Sequence, residues 1–223
     1  MLHTGSCGLH ILRGAFIHGS FSSIWDVERI LSSLYYLFKD SPARREDYVK
    51  ATDSRIFPLK FCAVRWVENS TVAVRAVDMW SHVLKYVKSV TEKKFPNPNT
   101  KSFMAIKDAA DDPLTPVELL VFQSIAKQIQ PFLIAYRTDK LVLPFLGKDV
   151  LKMLRCLTER FIKDDAIKKA NSCGKLIRIE VTKKENYLPE TKVHLGFAAE
   201  NRVKGLVHKN VIKQRDIVQL QME

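Results

Sequence analysis

The chain has few cysteines and glycines, and their distribution argues against several common classes of protein. Its four cysteines lie far apart without a Cys-x-x-Cys pair, so no disulfide framework is indicated and a reducing compartment is expected. Its eight glycines occur singly, which excludes a glycine-rich phosphate loop. No apolar run approaches the roughly 20 residues of a membrane-spanning helix, and the first residues do not have the layout of a signal peptide. We therefore expect a soluble nuclear or cytoplasmic protein with no membrane partner.

Positive charge is the most pronounced feature of the composition. Lysine and arginine number 36 against 24 acidic residues, giving a formal net charge of +12 and a pI near 9.6. This surplus favours polyanionic partners, with nucleic acid first and an anionic membrane surface second. Hydrophobic residues make up 46% of the 223 residues, which is enough for a folded core.

Apolar residues recur at helical spacing along most of the chain, which predicts a mainly α fold. The clearest stripe predicts a long helix over 67–91 with a buried face of Val72, Ala76, Met79, Val83, Tyr86 and Val90. The preceding segment 43–50 is rich in charged residues and is expected to form a short, largely solvated helix. The run 176–181 fits either a strand or a buried helix, and Gly174 is expected to end a helix.

Proline-containing signals organise the chain into regions. Ser41-Pro42 and Thr115-Pro116 each predict a helix start, because proline suits the first helical position. The segment 96–100 contains two prolines and two asparagines and is typical of a linker. We therefore predict a helical region over 1–95, the linker, and a second helical region over 101–223. The last amphipathic pattern runs to Glu223 without a stop signal, which indicates a fragment of a longer protein.

The combinations of residues that could support metal chemistry are weak. Cys7 and His10 could form half of a zinc site, but the other cysteines and histidines have no recognisable ligand spacing. A buried thiol and a hydrogen-bonded imidazole are therefore the favoured interpretation. The acidic pairs at 111–112 and 164–165 fall at predicted helix ends, where capping explains them better than a two-metal site. No cofactor is predicted.

Arg65 and Trp66 form the pair that best fits nucleic acid. The arginine offers a fork that matches phosphate, and the tryptophan offers a flat face on which a base can stack. A tryptophan at the start of a long helix is also typical of a hydrophobic core. The residues by themselves leave both interpretations open.

Two motifs taken together resemble those of the hAT-family transposases. The segment containing Cys7 and His10 is similar to the Cys-x-x-His motif that opens the helical insertion of these enzymes. The segment 61–66, which ends in Arg65 and Trp66, resembles their later Arg-Trp segment, in the same order along the chain. The resemblance implies that this chain corresponds to the helical insertion region of an RNase H-like transposase whose catalytic core is largely absent.

The resemblance also implies roles for individual residues. In the family, three acidic residues bind two divalent metals. Two of them precede the Cys-x-x-His motif, which leaves no room for them here, and the third is expected beyond Glu223. By the same resemblance His10 contacts DNA, Cys7 supports it, and Trp66 stabilises a flipped base. We therefore expect a DNA-binding fragment that is not an enzyme, with His10, Arg65 and Trp66 as its binding residues.

Two further interpretations stay open from the sequence. The chain could be a helical protein-interaction module or homo-oligomer, in which 67–91 and 115–136 present apolar faces to a partner. Alternatively it could be a transposon relic without a selected function.

The role implied for Trp66 leads to the first prediction. Replacing Trp66 with Ala should reduce the preference for hairpin or flipped-base DNA over plain duplex, because the stacking face for an extruded base is lost. Competition between hairpin and duplex in a mobility-shift assay measures this preference. An identical preference in parent and variant would show that the indole has no such role.

Overall fold

The protein is described by a computed structural model that covers residues 14–15, 17–19, 26–63, 66–136, 143–179, 183–189 and 192–213. The fold is mainly α, as the sequence predicts. Within these ranges there is no strand, and the one β-type pairing is an antiparallel bridge between Ile162 and Tyr187. The chain divides into two compact units between Gln123 and Ser124. We call the described residues up to 123 the N-terminal unit and those from 124 to 213 the C-terminal unit.

Residues 14–15 and 17–19 are helical. Five α-helices with both ends described begin in the N-terminal unit: α1 Val27–Phe38, α2 Pro42–Thr52, α3 Ser70–Thr91, α4 Lys101–Asp111 and α5 Thr115–Ala135. A 3-10 turn over Trp66–Asn69 leads into α3, and α5 continues past the division between the units. The described C-terminal unit adds α6 Leu146–Thr158, α7 Asp164–Lys168, α8 Cys173–Leu176 and α9 Phe197–His208, with 3-10 turns at Leu143–Phe145 and Lys184–Asn186.

No helix within the described ranges is both long enough and apolar enough to cross a bilayer.

Local signals explain where several helices begin. The side chain of Asp26 accepts the backbone N–H of Arg29 at 3.2 Å and caps α1. The hydroxyl of Thr100 accepts the N–H of Phe103 at 3.2 Å and caps α4 in the same way. Helix α2 begins at Pro42, as predicted, because the fixed φ of proline suits the first helical position.

The apolar stripe of α3 forms the centre of the N-terminal core. All six residues of the predicted stripe are buried: Val72, Ala76, Met79, Val83, Tyr86 and Val90. Leu34 and Phe38 of α1 and Phe103 of α4 belong to the same cluster. The predicted buried face is therefore confirmed. It packs against other helices of the N-terminal unit.

Aromatic rings connect the helices of this core. The rings of Phe38 and Tyr48 lie edge-on with centroids 5.0 Å apart, and Tyr86 lies 5.9 Å from Tyr48 and 6.5 Å from Phe103. Such edge-on pairs add to the free energy gained by burial. The helix predicted over 43–50 is largely solvated, as expected, except at Tyr48, which is fully buried.

The segment 96–100, predicted as a linker, connects α3 and α4, and both helices lie in the N-terminal unit. The division between the units falls inside α5, where the sequence carries no linker signal. Pro131 is also part of α5, which continues to Ala135.

The C-terminal unit contains a smaller apolar cluster of Ile162, Ile167, Ala170 and Leu176, against which Leu151 and Leu154 of α6 pack. The expectation that Gly174 ends a helix is wrong, because this glycine lies inside α8. Leu176 is the last residue of α8, and Ile177–Ile179 form no strand. Residues 180 and 181 lie outside the described ranges, as do residues 214–223, which contain most of the last amphipathic pattern.

The hydroxyl of Tyr86 generates a prediction for stability. It is buried without a hydrogen-bond partner. Burial, with a smaller contribution from the charge of Asp47, raises the pKa of Tyr86 to about 12. The unfolded chain therefore loses this proton at lower pH than the folded one. The associated stability is present below pH 10, the ordinary value, and is lost as pH rises towards 12.

Tyr86→Phe should leave stability near neutral pH unchanged or raise it by about 1 kcal/mol, because an unpaired buried hydroxyl is removed. At about pH 11 the parent should lose about 1.4 kcal/mol that the variant keeps. Urea unfolding at the two pH values measures the difference, with the exposed Tyr36→Phe as control. A parallel alkaline loss in parent and Tyr86→Phe would contradict the prediction.

Candidate nucleic-acid interface

The residues that the sequence analysis assigned to DNA binding lie where the structure gives no side-chain description. Cys7, His10 and Arg65 are outside the described ranges, and of Trp66 the structure describes only the backbone, which begins a 3-10 turn. The side chain of Asn69 forms two hydrogen bonds with the backbone of Cys62. The N–H of Cys62 donates to Asn69 Oδ1 at 2.9 Å, and Asn69 Nδ2 donates to the Cys62 carbonyl at 3.0 Å.

Positive charge is distributed unequally between the two parts of the chain. Residues 124–223 contain 20 basic and 11 acidic residues, whereas residues 13–123 contain 16 and 13. The excess of the whole chain therefore comes mainly from the part that includes the C-terminal unit.

Five described cations of the N-terminal unit have a carboxylate within 4 Å: Arg29, Lys39, Lys50, Lys88 and Lys94. Lys50 lies 2.8 Å from Glu46, and this hydrogen bond lowers the pKa of the glutamate. Lys94 lies 2.8 Å from Glu92, and Arg29 lies within 4 Å of two aspartates. Such exposed pairs contribute little to stability, but they reduce the positive potential around this unit.

The cations of the C-terminal unit differ. A set of exposed lysines has no described carboxylate within ion-pair distance: Lys127, Lys148, Lys152, Lys168, Lys169, Lys175, Lys184, Lys192 and Lys204. We call this set the lysine surface. Lys148 and Lys152 lie one turn apart on α6 and so project from the same side of the helix. The lysine surface keeps its charge available for an anionic partner.

Arg160 holds together separate parts of the C-terminal unit. Its Nε donates to the carbonyl of His194 at 2.9 Å, and its Nη1 donates to Ser124 Oγ at 3.1 Å and Gln128 Oε1 at 3.0 Å. The backbone N–H of His194 donates in return to the carbonyl of Arg160 at 2.9 Å. One side chain thus connects α5 with the segment before α9.

The second terminal nitrogen of Arg160 is buried without a hydrogen-bond partner. Burial lowers the pKa of the guanidinium, and the negative charge of Glu200 partly offsets this effect. A pocket of about 480 Å³ lies beside the side chain, lined by Gln128, Cys156, Glu159, Arg160, Asp164, Ile167, Lys168 and His194. Because acidic and basic groups both line it, its charge does not define one class of ligand.

Gly196 allows the close approach of this segment to α5. Its φ of 104° is unfavourable for residues with a side chain, and an added Cβ would lie 2.7 Å from the Cβ of Ser124. Its N–H donates to Glu200 Oε1 at 3.3 Å, one turn into the helix. Helix α9 therefore begins immediately after a tightly held glycine, with Phe197 as its first residue.

The outer face of α9 is exposed along its length. Phe197 is 82% exposed, and Asn201, Lys204 and His208 follow on the same side of the helix. The inner face buries Ala199 and Val203, along with partly buried neighbours.

Among the described residues, no group of three or more His, Cys, Asp or Glu side chains is placed to hold a metal ion. Comparisons of the chain with models of protein families, with curated proteins and with solved structures give no match. The functional argument therefore depends on charge and geometry.

Sequence reasoning did not identify Arg160 or the lysine surface. The unequal distribution of charge could have been found by counting residues on each side of 124. The hydrogen bonds of Arg160 could not have been predicted from the sequence, because its partners lie 32 to 36 residues away in the chain.

Arg160→Lys should destabilise the C-terminal unit by about 2 kcal/mol, because an ammonium cannot reproduce the fork that reaches three acceptors. Arg178→Lys is the matched control, since Arg178 is exposed and has no described partner. Hydrogen exchange across α9 measures the local effect. Equal protection in the two variants would show that the Arg160 contacts add nothing to stability.

Proposed function

We propose that this chain is a nucleic-acid-binding protein derived from an hAT-type transposase, and that it binds its target without cutting it. The observation that carries the proposal is a contrast between the two units: four lysines of the N-terminal unit have a carboxylate within 4 Å, whereas none of the nine lysines of the lysine surface has a described one. The resemblance of the segments around His10 and Trp66 supports the transposase origin. We also propose that the protein acts in the nucleus or the cytoplasm.

The physical basis is counterion release. Each lysine that neutralises a backbone phosphate releases condensed cations from the nucleic acid, so the affinity falls steeply as salt increases. Cations already paired with carboxylates contribute much less, because the neighbouring acid repels the phosphate. Lysines spread over several helices fit a backbone-tracking mode of binding, in which phosphates supply most of the affinity.

The absence of cleavage is proposed from the resemblance. Two-metal phosphodiester chemistry requires carboxylates that hold both ions about 3.5–4 Å apart. The family places two of these carboxylates before the segment that contains Cys7. By the resemblance, this chain corresponds to the helical insertion region, which does not carry these carboxylates.

A protein-interaction role is a second candidate, and a specific observation favours it. Ile134, Phe145 and Ile177 in the C-terminal unit are 61%, 60% and 71% exposed. Exposed apolar groups of this size can mark a surface for another protein or a second copy of the chain. The stripe of α3 does not supply this surface, because it is buried in the N-terminal core.

The proposal predicts that binding depends on unpaired lysines. Lys148→Gln/Lys152→Gln should weaken binding to duplex DNA and reduce the slope of log affinity against log salt by about 2, because two phosphate contacts are lost. Fluorescence anisotropy over a salt series measures both quantities. Lys50→Gln/Lys94→Gln is the matched control, because both of these lysines are exposed but paired.

Equal effects of the two double variants would contradict the assignment to the C-terminal unit. A parent protein that elutes as a stable oligomer in gel filtration and does not bind DNA at low salt would favour the protein-interaction role.

A further inference from the structure

We infer that the outer face of α9 is a binding surface for unpaired nucleotides, in which a base stacks on Phe197 while Lys204 contacts a neighbouring phosphate. This inference rests on the proposed nucleic-acid binding and specifies which form of nucleic acid the C-terminal unit prefers.

The exposure of Phe197 is the starting point. Its side chain is 82% exposed, more than any other large apolar side chain within the described residues. Phe161 in the same unit, by contrast, packs edge-on against Tyr187 with centroids 6.5 Å apart. A phenylalanine ring left in water offers a flat apolar face to any partner with a π surface.

The position of Phe197 is fixed by the structure before it. Arg160 holds the carbonyl of His194, and Gly196 lies against Ser124, so the chain enters α9 along a defined path. Glu200 accepts the N–H of Gly196 at 3.3 Å and holds the first turn. The aromatic ring is therefore presented from a supported helix start, and less conformational freedom is lost when a ligand binds.

A lysine and a histidine follow the ring along the same face. Lys204 lies seven residues after Phe197, which places it on the same side of the helix about 10 Å away. His208 continues this line one turn further. Gly205 beside them has open space around it, because an added Cβ would meet no atom within 4 Å. The surface is therefore open at this position, next to Lys204.

The charge of the segment 197–213 favours a polyanionic partner. Between Phe197 and Lys213 the only acidic residue is Glu200, which is partly buried and engaged with Gly196 and, at 3.9 Å, with His194. Arg202 and Lys209 add exposed positive charge to the helix and its end. The segment therefore keeps a net positive charge.

The aromatic ring adds a requirement for unpaired bases. In a duplex the faces of the bases are stacked on one another, whereas in a single strand they are available to an aromatic side chain. Lysines alone would bind duplex and single strand through phosphates. The combination of an exposed ring and a lysine on one helix face therefore favours a single strand.

The test compares three nucleic acids with the full chain: oligothymidylate of about 16 nucleotides, an abasic strand of the same length, and a duplex of the same length. Phe197→Ala and Phe197→Leu should each weaken oligothymidylate binding at least about fivefold. Binding of the abasic strand and the duplex should not change, because neither presents a free base. Lys204→Gln should weaken binding of all three.

Ile177→Ala is the matched control, since Ile177 is 71% exposed in the same unit but is not aromatic, and it should change none of the three affinities. Oligothymidylate binding that survives in Phe197→Ala, or in Phe197→Leu, would overturn the inference while the proposed function stands. A parent chain that binds none of the three at low salt would overturn both. Circular dichroism confirms that each variant is folded.

Discussion

The C-terminal unit depends on one arginine whose contacts are distant in sequence. Arg160 connects Ser124 and Gln128 of α5 with the carbonyl of His194, and so places the segment that leads into α9. Hydrogen bonds from a charged group are stronger than neutral ones, which matters because the described apolar cluster of this unit is small. The close contact at Gly196 follows from the same arrangement and determines where α9 begins. The exposed face of α9 therefore depends on a buried polar connection.

The two units use charge in different ways. In the N-terminal unit aromatic packing around Phe38, Tyr48 and Tyr86 supplies the core. Some of its surface cations, such as Lys50 and Lys94, are paired with acids of the same unit. In the C-terminal unit the nine lysines of the lysine surface are exposed and have no described carboxylate partner, which adds nothing to stability but maintains a positive potential. Such a potential attracts polyanions and accelerates their association. The proposed binding function and the modest core of this unit are thus consistent with each other.

Much of the fold could be predicted because its signals are local. The stripe of α3, the start of α2 at Pro42 and the cap-and-proline signal near Thr115 depend on residues within a few positions of one another. The errors concern tertiary contacts. Tyr48 belongs to a highly charged helix and yet is buried, because α2 packs on α3 and brings this ring against Tyr86. Gly174 suggested a helix end, but it lies within a helix of only one turn, for which propensity is a weak guide.

The sequence by itself determined the helical class, the positive charge and its concentration after residue 124, because composition and periodicity need no knowledge of distant contacts. It could not determine which cations would be neutralised, because ion pairing depends on which carboxylates the fold brings within a few ångströms. Nor could the sequence distinguish Phe197 from the other phenylalanines, because all of them have the same apolar side chain. Only the tertiary structure decided that this ring faces solvent, because Arg160 and Gly196 set the path of the chain into α9.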